Sequence, residues 1–354
     1  MNNMKILVLG KFYTEGFALH IKETLLDMGH QVFCYEVGSL IANNSKSHFL
    51  SIINKMRNVL YEVTDNLPSI RNKRIKSLFK LVAMKNPDII LVCYDFLLPS
   101  EVVYLKENFP ETKIAMWFPD TLVNFGRSYF MNAPYDALFF KDPFIIHALF
   151  NVLKTPVYYM PECFNPQRHF LPDGIDIEDK YKCDITTAGT LHSWRVAYYQ
   201  HLTKYDVKLW GPHPPLWMPK ELVNNLHPNH VVYNQDKAKA FLGAKIVLNN
   251  LLYGEIWGVN VRTFEAAGIG AFQMVDWRPG LEQLFVDGKE IITYKNLADM
   301  HEKIEYYLAN PKQRQVIAEA GKIRAFKEHT YRHRLELILA TLANKAKGFN
   351  LPNV

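Results

Sequence analysis

The residues best suited to chemistry lie between Asn249 and Phe285, NNLLYGEIWGVNVRTFEAAGIGAFQMVDWRPGLEQLF. Arg262 and Glu265 are three positions apart and share one face of a helix. Gly268 and Gly270 end that helix and open a strand over Ala271–Val275, with Asp276 just past it. A cation near a helix start, a carboxylate one turn on and a glycine turn suit a polar, phosphate-bearing ligand. The same spacing also describes an ordinary amphipathic helix carrying a surface salt bridge, and spacing alone leaves both open. A second cluster, AGTLHSWR, places Gly189, His192 and Arg195 after a strand and at a helix start. Asp95 and Asp120 follow two further apolar runs, where carboxyl ends of parallel strands place ligand-facing groups. Each could equally cap the helix that follows it.

These groups need a scaffold, and the chain supplies strands and helices in alternation. Lys5–Gly10 is a continuous apolar run ending in glycine, as in a buried parallel strand. Thr14–Gly16 leads into a helix with Phe17, Ile21, Leu25 and Met28 at helical spacing, stopped by Gly29. Gln31–Tyr35 completes a βαβ unit. Two helices are expected over 44–64 and 68–85, then strands at Asn86–Asp95, Lys113–Trp117, Tyr135–Phe140 and Val157–Met160. Prolines and acidic residues in 161–182 mark a linker. The alternation restarts with a strand at Cys183–Ala188, a helix at His192–Lys204 and a strand at Val207–Trp210. Then come a strand at Val231–Tyr233, a helix at Asp236–Gly243 and a strand at Lys245–Asn249. From about 296 to 345 the pattern is helical, broken at Asn310-Pro311 and His329-Thr330.

Composition narrows the classes. A chain of 354 residues favours two domains, and 49% hydrophobic with 21% charged residues describes an ordinary globular protein. No apolar run approaches the roughly 18 residues of a membrane span. The start, MNNMKILVLGKF, lacks a signal-peptide pattern. Cys34, Cys93, Cys163 and Cys183 form no CxxC and read as free thiols in a reducing cytoplasm. The net charge of +6 allows an anionic partner without demanding one. The 71–85 segment interleaves Arg71, Lys73, Arg74, Lys76, Lys80 and Lys85 with apolar residues. It reads either as a solvated basic helix face or as a docking face for an anionic membrane or polymer.

Several chemistries lack their signatures. Gly10 and Gly16 do not make GxGxxG, and no GxxxxGK[ST] occurs. The histidines are scattered, no HExxH is present, and the acidic run DGIDIED lies in the linker, so no metal site is expected.

The segments NVRTFEAAGIGAFQMVDWRPGLEQLFVDGKEIITY and KIEYYLANPKQRQVIAEAGKIRAFKEHTYRHRLELIL resemble the C-terminal half of CgeB-like glycosyltransferases, in the GT-B group related to retaining family-4 enzymes. The resemblance covers about 183–340 well and the N-terminal half loosely, through WFPD and YDALFF. It implies an α/β GT-B fold: two Rossmann-like doubly wound domains facing a cleft, with a C-terminal helical tail. The implied domains are an acceptor-side domain over 1–165, a nucleotide-sugar domain over 166–330, and a helix in 331–354 crossing back to the first.

The resemblance also implies roles. Arg195 and Arg262 would bind the donor phosphates, because a guanidinium forks onto phosphate oxygens. Gly189 would let the backbone approach the ligand, and His192 could share the phosphate load. Glu265 would accept from the ribose hydroxyls. Trp257, Asn260 and Thr263 would line the sugar and phosphate end, with Gly16 also on the donor. Tyr233, followed by Asn234, would flank the base or else be a core tyrosine. Two positions depart from the family-4 pattern: Trp257 stands where a second glutamate is usual, and Gln200 where a lysine is. The implied activity moves a sugar from a nucleotide-diphosphate sugar, UDP-linked, to a glycan, protein or modified DNA acceptor. It needs no permanently bound cofactor and no metal. Retention needs no side-chain nucleophile, with Arg195 stabilising the departing phosphate, whereas inversion would need Asp95 or Asp120 as base. A GT-B binding protein without turnover and a nucleotide-sugar epimerase are the alternatives.

Overall fold

The computed structural model describes residues 3–37, 67–126, 128–212, 218 and 230–352. The helix expected over 44–64 lies outside them. Contacts divide the chain into two compact units. The first comprises Met1–Lys141, Ile145–Met160 and Leu335–Phe349; the second comprises Asp142–Phe144, Pro161–Arg334 and Asn350–Val354.

The first unit is built on six parallel strands: β1 (Lys5–Gly10), β2 (Gln31–Glu36), β3 (Ile89–Cys93), β4 (Lys113–Phe118), β5 (Ala137–Phe140) and β6 (Val157–Tyr159), in the order β2-β1-β3-β4-β5-β6. Every residue of β3, IILVC, is buried, as expected for a strand covered on both faces. The order reverses at β1, so the connections leave β1 and β3 in opposite directions. The apolar core gathers Leu7, Leu9, Ile90, Val92, Ile114, Met116 and Phe140.

The second unit repeats the plan with five parallel strands: β7 (Cys183–Ala188), β8 (Val207–Trp210), β9 (Ala244–Asn249), β10 (Gln273–Asp276) and β11 (Ile292–Tyr294), in the order β11-β10-β9-β7-β8. Here the reversal falls at β7, beside β9. Ile185, Leu209, Ile246, Leu248, Met274 and Tyr294 form the core. The helix Val261–Ile269 connects β9 to β10 and ends at Gly270, whose φ of 87° is the left-handed stop that glycine provides. Helices Leu297–Ala309, Pro311–Glu328 and Tyr331–Leu342 complete the chain, broken at Asn310-Pro311 and His329-Thr330.

The structure corrects several expectations. Residues 231–233 are not a strand: they join no strand ladder among the described residues, Val231 and Tyr233 are exposed, and Tyr233 is the extended cap of the helix Asn234–Gly243. The helix expected over His192–Lys204 is α-helical only over Ser193–Tyr199, then tightens to a 3-10 turn over Gln200–Leu202. Asp276 closes β10 instead of following it. The strand β11 is too short to show in periodicity and emerges only through its pairing with β10. Cys93, Cys163 and Cys183 are buried free thiols, and burial raises the pKa of each; Cys34 is exposed. No helix among the described residues is long and apolar enough to cross a membrane.

Candidate functional site

The carboxyl ends of β7 and β9 meet where the strand order of the second unit reverses, which is where open α/β sheets bind ligands. Gly189 follows β7 directly, and its φ of 127° is open to glycine at little cost. A Cβ at Gly189 would lie 2.7 Å from Arg262 Nη2 and 3.1 Å from Arg195 Nη1. Two guanidinium groups therefore flank one bare stretch of backbone.

Arg262 sits in the first turn of the helix Val261–Ile269. Its Nε donates to the Ala188 carbonyl at 2.7 Å and its Nη1 to Asn249 Oδ1 at 2.9 Å. Arg195, from the helix Ser193–Tyr199, donates through Nη1 to the Thr190 carbonyl at 2.7 Å and through Nε to Asn250 Oδ1 at 3.4 Å. Both side chains are buried. Among the described residues, neither forms an ion pair with a carboxylate. Burial, then the charge of Arg262, lowers the Arg195 pKa to about 9, so the group stays cationic at neutral pH. Burial lowers that of Arg262 as well. His192, the cap of the Arg195 helix, accepts from the Arg195 amide through Nδ1 at 3.3 Å. Burial, followed by Arg195 and Arg262, takes its pKa down to about 4, so it is a neutral imidazole at physiological pH.

Asn249, the last residue of β9, fixes this arrangement. Its Oδ1 accepts from Arg262 and from Asn260 Nδ2, and its Nδ2 donates to Asn260 Oδ1 and to Thr263 Oγ1, each at 2.9 Å. Asn260 also caps the helix Val261–Ile269 through the Thr263 amide. One fully buried carboxamide thus joins a strand end, a helix cap and a guanidinium.

One turn further along, Glu265 is buried rather than on a solvated face. Its Oε1 is 2.9 Å from Lys237 Nζ and 3.4 Å from His169 Nε2. The surface Arg262–Glu265 salt bridge is therefore not what the structure holds: the partner of Glu265 comes from the helix Asn234–Gly243.

The loop before Asn260 is held from three sides. The buried Asp142 carboxylate accepts from the amides of Ile256 at 2.8 Å, Trp257 at 3.2 Å and Phe144 at 3.0 Å. The buried Glu255 accepts from the Leu252 amide, and Arg278 Nε donates to the Glu255 carbonyl. Gly280 donates to the Trp257 carbonyl at 2.8 Å, where a Cβ would come within 2.3 Å of that oxygen. The Trp257 ring meets Phe144 edge-on at 5.4 Å.

The second unit thus gathers Gly189, His192, Arg195, Asn260, Arg262 and Thr263, with Glu265 one turn on. Trp257 lies on the neighbouring loop, and Tyr233 is an exposed helix cap. Gly16, Asp95 and Asp120 belong to the first unit. The Asp95 carboxylate accepts from the amides of Tyr129 at 2.6 Å and Phe130 at 3.1 Å, so it fastens the 3-10 turn Tyr129–Asn132. It does not cap the helix that follows it, Pro99–Asn108, where Glu101 accepts from the Leu98 amide. Asp120 accepts from the adjacent Thr121 amide. In the basic helix Pro68–Lys85, Arg71 turns inward to a two-pronged pair with Glu101, leaving Lys73, Lys76 and Lys80 exposed.

Asp142, His169, Lys237, Asn249 and Asn250 carry no spacing signal of their own. Only the Asn249-Asn250 pair at a strand end, and a lysine among the buried Ala238, Ala240 and Phe241, could have drawn notice.

Residues 193–340 match a family described as glycosyl transferase-like. The spore protein CgeB of Bacillus subtilis (strain 168) is 27% identical over 182 residues, 47% of this chain and 55% of that protein. The match thus spans little more than half that relative's length. A glycosyltransferase from Rickettsia africae ESF-5 superposes with a TM-score of 0.65 at 14% identity, covering 98% of this chain and 99% of that one. The Anabaena protein HepE in complex with UDP-glucose gives a TM-score of 0.65 at 11% identity over 97% of this chain and 100% of its own. At these identities the solved structures speak to the fold, which is α/β of the GT-B type.

Proposed function

We propose that this chain, a CgeB-like glycosyltransferase by sequence and a GT-B protein by fold, moves a sugar from a nucleotide-diphosphate sugar to an acceptor. One observation carries the reading. Two buried guanidinium groups flank the bare backbone of Gly189 at the sheet's switch point, and among the described residues neither is in a direct ion pair with a carboxylate. Burying two like charges together is costly unless an anion joins them. A diphosphate supplies two adjacent anionic groups and oxygens in the geometry that guanidinium forks bind.

The donor is taken to be UDP-linked, a reading supported by the UDP and UDP-glucose complexes of HepE. In this reading Arg195 and Arg262 hold the diphosphate and stabilise its charge as the glycosidic bond breaks. Gly189 keeps the approach open, and Asn249 aims Arg262. Glu265, oriented by Lys237, accepts from the ribose diol. Trp257 and Asn260 border the sugar. The two arginines supply the positive charge that other transferases take from a metal, so the reaction proceeds without one. It retains configuration, with the leaving phosphate taking the acceptor's proton. Asp95 is tied to two amides and is a poor base, and Asp120 is the group an inverting mechanism would use. The first unit serves the acceptor and the second the donor.

The test is direct binding of UDP to the whole protein by calorimetry. Wild-type protein should bind, and Arg262→Ala should weaken binding at least about tenfold, since a charge-assisted hydrogen bond is worth roughly 1.5–3 kcal/mol. Arg262→Lys, which keeps the charge and loses the fork, should fall between. Equal affinity in wild type and Arg262→Ala would sink the assignment. A panel of nucleotide sugars, followed by release of free nucleotide, then identifies the donor.

A further inference from the structure

Asn249 ends β9 and Asn250 follows it, and the two carboxamides are satisfied very differently. The whole of the Asn249 amide is used, in its bonds to Asn260, Thr263 and Arg262. Asn250 is almost as deeply buried, yet only its oxygen is engaged, accepting from Arg195 Nε at 3.4 Å. Its Nδ2 has no hydrogen-bond partner. Among the described residues of the second unit, it is the one buried side-chain nitrogen of which that is true. We infer that Asn250 is a further anion-binding residue, whose Nδ2 donates to a phosphate oxygen of the ligand that Arg195 and Arg262 hold. The contact rests on the reading of that site as a diphosphate site; it needs the anion and not the nucleoside.

The direction of the amide is set by chemistry. A guanidinium offers only N–H donors, so the atom of Asn250 that faces Arg195 is the oxygen, and the NH2 is turned away. Exchanging the two would set donor against donor. The chain around Asn250 is also too well fastened for the amide to move off and find a partner. Tyr199 Oη donates to the Leu248 carbonyl at 2.8 Å, Tyr294 Oη to that of Asn249 at 3.4 Å, and Trp194 Nε1 to that of Leu251 at 2.8 Å. Both tyrosines are buried. The residues on either side of Asn250 are thus held through their own carbonyls.

A buried N–H without an acceptor costs free energy on folding, and in a native protein it calls for a cause. The cause lies beside it. Arg195 and Arg262 are buried cations that an anion would complement, and Arg195 is the group that orients the orphaned amide. Phosphate oxygens only accept, and one oxygen can take more than one donor. A third cation in this place would add to the repulsion between the arginines. A carboxamide supplies a fixed N–H with no charge, which is what a preorganised anion site gains from it.

The test measures binding of UDP and of inorganic pyrophosphate to the whole protein by calorimetry. Asn250→Ala should weaken both about tenfold, the loss of one hydrogen bond to a charged group. That substitution also takes an acceptor from Arg195, so it is repeated in an Arg195→Ala background. Were Asn250 only to place Arg195, its loss would cost nothing further there; direct contact predicts a further loss of at least about threefold. If that background no longer binds, the amide itself decides. In protein carrying isotope-labelled asparagine, the side-chain NMR signal missing from Asn250→Ala should shift on adding pyrophosphate and stay in place on adding uridine. Unchanged affinity in Asn250→Ala, no further loss in the Arg195→Ala background, or an unmoved amide signal overturns the contact. If wild type binds UDP and Asn250→Ala binds it equally well, the contact fails alone and the donor reading stands. If wild type ignores UDP yet binds pyrophosphate through Asn250, the nucleotide reading fails and the contact stands. Binding of neither ligand overturns both.

Discussion

Arg195 and Arg262, sixty-seven positions apart in sequence, bring their guanidinium nitrogens to the two sides of Gly189, within 3.1 Å and 2.7 Å of where its side chain would begin. The absence of a side chain at Gly189 is what leaves room for both guanidinium groups beside the same stretch of backbone. Gly189→Ala should therefore act twice. The backbone at φ +127° is strained for any residue with a Cβ, at about 1–3 kcal/mol, and the methyl group displaces Arg262. The melting temperature should fall, and UDP affinity should fall at least about tenfold, with loss of one charge-assisted bond. Calorimetry and thermal unfolding of the one variant measure both. An alanine variant with wild-type UDP affinity would remove Gly189 from the site.

Glu265 and Lys237 test whether the second buried pair is a ligand-orienting device. Removing one partner of a buried ion pair leaves an uncompensated charge and costs about 3–5 kcal/mol. Lys237→Met should destabilise the protein by an amount in that range, reduced because His169 also approaches Glu265. Adding Glu265→Gln to Lys237→Met should restore much of the stability and none of the nucleotide affinity. A double-mutant cycle on unfolding free energy and on UDP affinity reads the two separately. If the double variant recovers UDP binding, Glu265 does not touch the ribose.

The positions of most strands along the chain and the Arg262–Glu265 helix were legible because both are local. Ile89–Cys93 and Lys5–Gly10 are continuous apolar runs that only a doubly covered strand accommodates. The helix Val261–Ile269 announces itself by periodicity, an asparagine cap and a glycine stop. What those residues touch was not legible. Glu265 pairs with Lys237, and Arg262 is aimed by Asn249; both partners are set by how helices pack on the sheet, not by spacing. Val231–Tyr233 misled for a related reason. Its β-branched and aromatic residues suit a strand, but strand preference is a preference for paired surroundings, and among the described residues no strand pairs with them.

Acid should unfold the second unit through buried imidazoles. His192 has its pKa lowered to about 4 by burial and the two arginines, and burial holds that of His329 well below its ordinary value. Both are neutral when folded and take up protons when unfolded, so the unfolded state binds more protons as pH falls below about 6.5. Stability is therefore fully present above that pH and declines as pH drops toward 4. His192→Asn keeps a side-chain acceptor for the helix cap and has no proton to take up. Its melting temperature should fall less steeply between pH 6.5 and 4.5 than that of the wild type. Parallel curves would show that His192 does not titrate on unfolding.

Asp142 governs the loop that carries Trp257. The sequence places it two residues after β5, yet its fully buried carboxylate accepts from the amides of Phe144, Ile256 and Trp257. Losing a carboxylate that receives several backbone N–H bonds orphans every donor. Each buried amide left without an acceptor costs about 1–3 kcal/mol unless water enters, and the loop can open to admit it. Asp142→Ala should therefore cost about 2–4 kcal/mol in global stability. It should also expose the 252–258 segment to proteolysis under native conditions. Asp142→Asn keeps one acceptor oxygen and should fall between. Because Arg262 and Asn249 are anchored separately, UDP affinity should change less than about threefold in Asp142→Asn, well under the loss expected from removing a phosphate contact. Affinity for the complete nucleotide sugar should fall further, because the loop beside the sugar has lost its anchor. A variant in which both affinities fall equally would show that Asp142 supports the whole site and not this loop alone.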